Sequence, residues 1–148
     1  MKTMTKMLAV PFLGCLLFIA ASCNKEDVQN VIPADPDFGV SEIDLKQPKP
    51  GIYTIFKFID TGDDETAQFN GYTFEFKADG SLIATTNTGV VSNGSWDLNS
   101  AETVMTINLS GNDALEDLDD DDWQVVRITN TTIKIKANGP DIVVWKKS

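Results

Sequence analysis

The sequence predicts an all-β fold, an eight-stranded antiparallel up-and-down β-barrel formed by residues 51–148. Three observations lead there. Short segments rich in β-branched and aromatic residues recur with turn residues between them about every 8–15 positions, the spacing of a sandwich or barrel. No stretch sustains an apolar period of 3.6, which a helix needs in order to bury one face. The connections are short, so strands adjacent in sequence are expected to be adjacent in space.

The strands follow in order. Residues 52–60 (IYTIFKFID) are apolar on both faces. Residues 72–77 (YTFEFK) alternate, with Tyr72, Phe74 and Phe76 on one side and Thr73, Glu75 and Lys77 on the other, the period of a half-buried strand. Ala78-Asp79-Gly80-Ser81 places Asp-Gly between this strand and 82–86, a strong short-range hairpin signal. Residues 90–98 and 104–109 follow, the latter with Met105, Ile107 and Leu109 on one face. Residues 123–129 and 132–137 flank Asn130-Thr131, and Asn138-Gly139-Pro140 turns the chain into the last strand, 142–147. The widest gap, 111–122, has room for a single helical turn, which Leu115 and Leu118 would pin over the barrel mouth.

Composition removes whole classes of function. The 148 residues include 12 Lys+Arg, 22 Asp+Glu and no His, for a net charge of −10. Without His there is no Ser-His-Asp or Cys-His catalysis, no His-ligated zinc and no proximal-His haem. The negative charge opposes nucleic acid, which is bound by displacing counterions with Lys and Arg. The hydrophobic share, 42%, is that of a folded chain. Gly-x-Ser-x-Gly, P-loop, dinucleotide-binding and Cys-x-x-Cys patterns are all missing, so the expectation is a protein that is not an enzyme.

The N-terminus reads as an address. Lys2 and Lys6 precede an apolar run of 15 residues, 7–21, which suits a signal peptide and is short of the roughly 20 residues that span a bilayer. Ala20-Ala21-Ser22-Cys23 resembles a bacterial lipobox, with Ala20 where Leu is usual. The resemblance implies a lipoprotein signal peptide over residues 1–22, lipidation of Cys23 and attachment to the membrane through that lipid. Asn24 follows, not the Asp that signals inner-membrane retention. Lys25-Glu26-Asp27 is similar to the tag of surface-exported lipoproteins in some Gram-negative bacteria. The implied location is therefore the outer membrane, exposed at the cell surface, with a periplasm-facing placement as the alternative. From Cys23 to residue 50 the chain carries Pro33, Pro36, Pro48 and Pro50. That density opposes helix and central strand and suits a flexible linker, although 40–45 (VSEIDL) has the pattern of a short docking strand.

Over residues 51–147 the ordered pieces resemble the small bacterial lipocalin-like domains. Gly51-Ile52-Tyr53 stands where that group has Gly-x-Trp. Phe74-Glu75-Phe76-Lys77-Ala78-Asp79-Gly80 matches its Phe-x-Phe-x-x-Asp-Gly hairpin. Gly94-Ser95-Trp96-Asp97-Leu98 matches its Gly-x-Trp-x-Leu strand, and Trp123 with Val126 and Ile128, then 131–135, matches its ending. The resemblance implies a barrel and names no ligand.

Two functional readings follow. In the first, an apolar ligand enters the barrel mouth against Tyr72, Phe74, Phe76, Trp96 and Trp123. In the second, the same aromatics fill the interior, since an eight-stranded barrel is only just wide enough for side chains or one small ligand, and the outer face or an acidic loop meets a protein partner. That loop, 113–122 (DALEDLDDDD), offers Asp117, Asp119 and Asp121 as oxygen ligands for calcium. It lacks the glycine of an EF-hand loop, and runs of like charge are commonly solvated. No other cofactor is implied.

Overall fold

The computed structural model describes residues 35–39 and 42–148. The signal peptide, Cys23 and the linker up to residue 34 lie outside the described residues.

Among the described residues there are nine strands: β1 Gly51–Asp60, β2 Asp63–Asp64, β3 Thr73–Phe76, β4 Ser81–Thr85, β5 Val91–Leu98, β6 Val104–Asn108, β7 Asp120–Ile128, β8 Thr132–Lys136 and β9 Ile142–Lys147. One helical turn, α1 Asp113–Glu116, sits between β6 and β7, and a 3-10 turn covers Thr66–Phe69. The ladder runs β1-β3-β4-β5-β6-β7-β8-β9, every pair antiparallel, and β9 pairs back onto β1. The sheet is therefore a closed eight-stranded meander. The two-residue β2 is an extra, folding back on the end of β1 through Ile59↔Asp64.

All eight strands expected from the sequence are found, within one or two residues at most ends. β7 is the exception, starting at Asp120 rather than Trp123. Its first residues are acidic, and strand propensity opposes them; pairing of Asp120 with Ile107 recruits them. The Asp-Gly hairpin forms as expected. Gly80 takes a φ of 84°, open to glycine without steric cost, and Asp79 Oδ1 accepts from Ser81 N at 3.0 Å.

The inward residues form one core. Tyr53, Phe74, Phe76, Met105, Ile107, Ile133, Ile135 and Trp145 are fully buried. Rings meet edge to face: Tyr53–Phe76 at 5.3 Å between centroids, Phe76–Trp145 at 5.6 Å and Phe74–Trp145 at 6.4 Å, the arrangement favoured by the ring quadrupole.

The lower end of the barrel holds the start of β1, the end of β9 and the β7–β8 turn. Here Tyr53 donates its hydroxyl to Lys49 O at 2.6 Å, Lys147 Nζ donates to Pro50 O at 2.9 Å, and Pro48 is buried. Residues 48–50 thus pack under the barrel. Further up, residues 35–39 and 42–45 lie along β7 and β8. Asp44 bridges to Thr129, and Leu45 N donates to Ile128 O at 2.8 Å. Lys134 Nζ meets Asp35 at 2.6 Å and Asp37 at 2.7 Å. Glu42 accepts from the hydroxyls of Thr129, Thr131 and Thr132. Arg127 bonds Asp44 at 2.5 Å and stacks on Phe38, 4.4 Å from the ring centre. Burial raises the Asp35 and Glu42 carboxyls. Lys134 and the Asp37 N–H in one case, and the threonine hydroxyls in the other, outweigh it and leave both below their ordinary values. Burial lowers Lys134, but its two carboxylate partners prevail and hold it above the usual lysine range.

Candidate functional site

Four of the five aromatics expected to line a ligand cavity are core residues. Phe74 and Phe76 are fully buried, Trp123 is 2% exposed and Trp96 is 9% exposed. Their polar atoms are engaged: Trp96 Nε1 donates to Lys77 O at 3.2 Å and Trp123 Nε1 to Leu118 O at 3.1 Å. Among the described residues, Trp145 Nε1 is the buried side-chain polar atom with no hydrogen-bond partner. The fifth residue, Tyr72, stands apart. It precedes β3 at the upper end, half-buried, stacked on Phe74 at 6.1 Å between centroids and bonded through its hydroxyl to Asn112 Nδ2 at 2.8 Å.

Tyr72 belongs to an open cleft of about 690 Å³ at the upper mouth, within the range of small-molecule sites. Ala84 of β4 and Thr86 just after it, Val90 just before β5 and Val91, Ser92 and Asn93 within it, Ser110 and Asn112 from the β6–α1 turn, and Leu115 of α1 form its walls. None of the lining residues is a carboxylate, lysine or arginine, so the cleft is neutral, with exposed apolar surface from Val90 and Val91 and polar edges from Thr86, Ser92 and Asn112.

The cleft exists because β6 leaves the sheet early. β5 pairs with β4 along its upper half, through Val91↔Thr85, but with β6 only from Ser95↔Asn108 downward. Gly94 is the reason. A Cβ there would lie 2.0 Å from Asn108 O and 2.8 Å from Leu109 Cδ2. Only a glycine lets the end of β6 fold inward over β5, burying Leu109. The chain then crosses the mouth, where the Ser92 hydroxyl donates to Ser110 O. It enters α1 with Asn112 as N-cap, its Oδ1 accepting from Leu115 N at 3.4 Å. Ala114, Leu115 and Leu118 are buried, so the short helix caps the mouth as the leucine spacing implied.

Of the acidic residues proposed for calcium, Asp117 accepts from Gln68 Nε2 at 3.4 Å, Asp119 is exposed beside Asp120 and Asp122, and Asp121 lies in β7. Among the described residues no group of three or more Cys, Asp or Glu is placed to hold a metal ion. Sequence reasoning missed Ala84, Ser92, Ser110 and Asn112. Asn112 alone carried a signal, since Asn ahead of Asp-Ala-Leu-Glu has the form of a helix start.

No protein-family model matches the chain, and no curated protein matches it. Among solved structures the chain is similar to a DUF4847 family protein from Bacteroides vulgatus, whose crystal structure extends to 1.00 Å resolution. The two are 14% identical, the likeness covers 66% of this chain and 92% of that one, and the TM-score is 0.48.

Proposed function

We propose that this protein is a non-catalytic binding module whose barrel is a filled scaffold and whose ligand is held in the mouth cleft. The observation that carries the reading is the contrast between the two places. Phe74, Phe76 and Trp123 are packed to near-zero exposure, while a neutral cleft of about 690 Å³ opens at the upper mouth, lined by Tyr72 and by residues of β4, β5 and α1. The lack of any paired ionisable group in its lining favours binding over catalysis. The motifs around Asp79-Gly80 and Gly94-Ser95-Trp96 support a lipocalin-like kinship. In this reading Cys23 carries the lipid, and the module faces outward from the outer membrane, as the lipobox and Lys25-Glu26-Asp27 suggest.

Amide chemical-shift mapping on the full-length protein against a set of small amphipathic compounds tests the cleft. Binders are expected to move Tyr72, Ser92, Asn112 and Leu115 and to leave the indole N–H of Trp123 in place. Shifts confined to the Trp123 and Trp96 indoles would return the site to the barrel interior. For the anchor, incorporation of a fatty-acid label is expected in the native chain and not in Cys23→Ala.

A further inference from the structure

Among the described residues nothing pairs with the upper edge of β5 inside this cleft, and the ladder phase gives the direction of each main-chain group. Thr86 N donates to Val90 O at 2.9 Å and Trp96 N to Gly80 O at 2.8 Å. In an antiparallel ladder, bonded and non-bonded pairs alternate. The main-chain groups of Val90, Ser92, Gly94 and Trp96 therefore point to β4, and those of Val91, Asn93 and Ser95 point the other way. Ser95 meets Asn108 of β6. Had β6 continued, Ser110 would have met Asn93; instead its carbonyl is taken by the Ser92 hydroxyl. The N–H and C=O of Val91 and Asn93 are thus left facing a notch in the barrel wall.

The surroundings of the notch are selective. Val90 and Val91 are 65% and 53% exposed beside it. Asn108, the last residue of β6, also borders a second hollow, lined by Asp119, Asp120 and Asp122. One flank offers strand hydrogen bonds and valine surface, and the other offers carboxylates.

We propose that the ligand of the mouth cleft is an extended, basic peptide segment, which adds as a short strand to the open edge of β5 and sets its cations against Asp119, Asp120 and Asp122. This rests on the cleft reading above and narrows it. Unpaired ladder groups at strand spacing match a peptide main chain, the mode of β-augmentation. The acidic flank selects Lys or Arg side chains, with an attraction that salt weakens.

The test uses the full-length protein and the blocked peptide acetyl-Lys-Val-Lys-Val-Lys-amide. Two N-methylated versions are compared with it, one methylated at the valines and one at the lysines. The parent is expected to shift the Val91 and Asn93 amides. One methylated version is expected to lose about tenfold in affinity, because only one alternating set of its N–H groups can face β5. The other version should bind like the parent. The acetyl-Glu-Val-Glu-Val-Glu-amide analogue is expected not to bind. Equal binding by all three Lys peptides, or a parent that leaves Val91 and Asn93 unmoved, overturns strand addition. If small amphipathic compounds still shift Tyr72 and Leu115 in that case, the cleft reading survives and only the peptide falls. Silence at all of these positions overturns both.

Discussion

Trp96 holds the main chain of Lys77 with its side chain: the indole N–H donates to Lys77 O at 3.2 Å, while Trp96 N donates to Gly80 O at 2.8 Å. Two motifs separated in sequence, the Asp-Gly hairpin and the Gly-x-Trp strand, are thereby one structural unit. Replacing Trp96 by Phe keeps most of the ring packing against Phe76 and removes the donor. Lys77 O keeps the Gly80 N–H as a donor at 3.2 Å, so the expected loss is about 0.5–1.5 kcal/mol, the usual net contribution of one hydrogen bond, measured by urea unfolding with an unchanged m-value.

Gly94→Ala is expected to cost more than its single methyl suggests. Its Cβ would stand 2.0 Å from Asn108 O and 2.8 Å from a side-chain carbon of Leu109. One of these neighbours is backbone and cannot rotate away. The end of β6 must then lift off β5, exposing Leu109. A loss of about 3 kcal/mol is expected on the scale of overpacked cores, and crystallography of the variant should show β6 displaced at Asn108. A stability change under half a kcal/mol would contradict this account of why the mouth is open.

Those two positions illustrate what was legible. Alternation in 72–77 and the Asp-Gly turn depend on neighbours in sequence, and so do the eight strands; all were readable. The burial of Phe74 and Phe76 follows from the same alternation. Whether buried aromatics enclose a cavity or fill it depends on how rings from different strands meet, as Phe76 and Trp145 do at 5.6 Å, and no periodicity contains that. The cleft was invisible for a related reason. It arises from one close approach between Gly94 and Asn108; the strand motif marks Gly94, but nothing in the sequence pairs it with Asn108. The strand pattern of 40–45 pointed to the docking seen at Asp44 and Leu45, but the packing of 35–39 was hidden, because Lys134 is 97 residues from Asp37 and 99 from Asp35.

Lys134 is the natural place to loosen that packing. Its side chain is 14% exposed and serves both Asp35 and Asp37, the latter with a side chain only 7% exposed. Lys134→Met keeps the length of the side chain and leaves two carboxylates without their cation. Breaking such a pair from one side costs more than the pair contributed, and about 2–3 kcal/mol is expected. The loss should be concentrated at the N-terminal segment, with faster proteolytic cleavage between residues 35 and 45 and unchanged protection in β3 and β4. Adding Asp37→Asn to Lys134→Met should recover part of the loss, and a double-mutant cycle measures that coupling.

The same segment should respond to pH at both extremes, with opposite signs for its two kinds of group. Asp35 and Glu42 are held below their ordinary values in the folded state. Their contribution is complete above the unfolded carboxylate range and disappears as pH falls through the folded values, below about pH 4. Lys134 is raised, so its contribution is complete below the unfolded lysine value and is lost only as pH rises through the folded one, above about pH 10. Between these limits the attachment is expected to be insensitive to pH. The amide of Leu45, bonded to Ile128 O at 2.8 Å, reports attachment directly. Its chemical shift should stay constant from about pH 5 to 9 and move toward the random-coil value in acid, before the amides of β3 and β4 change. Glu42→Gln can keep the oxygen that accepts from Thr131 and Thr132, but it puts an amide donor where Oε2 accepts from Thr129 and removes the negative charge. It should weaken the attachment at neutral pH and flatten the acid step, leaving the part that belongs to Asp35. An acid step of full size in Glu42→Gln would assign the whole effect to Asp35 and Lys134, and would leave the Thr129, Thr131 and Thr132 contacts with no part in the charge-dependent attachment.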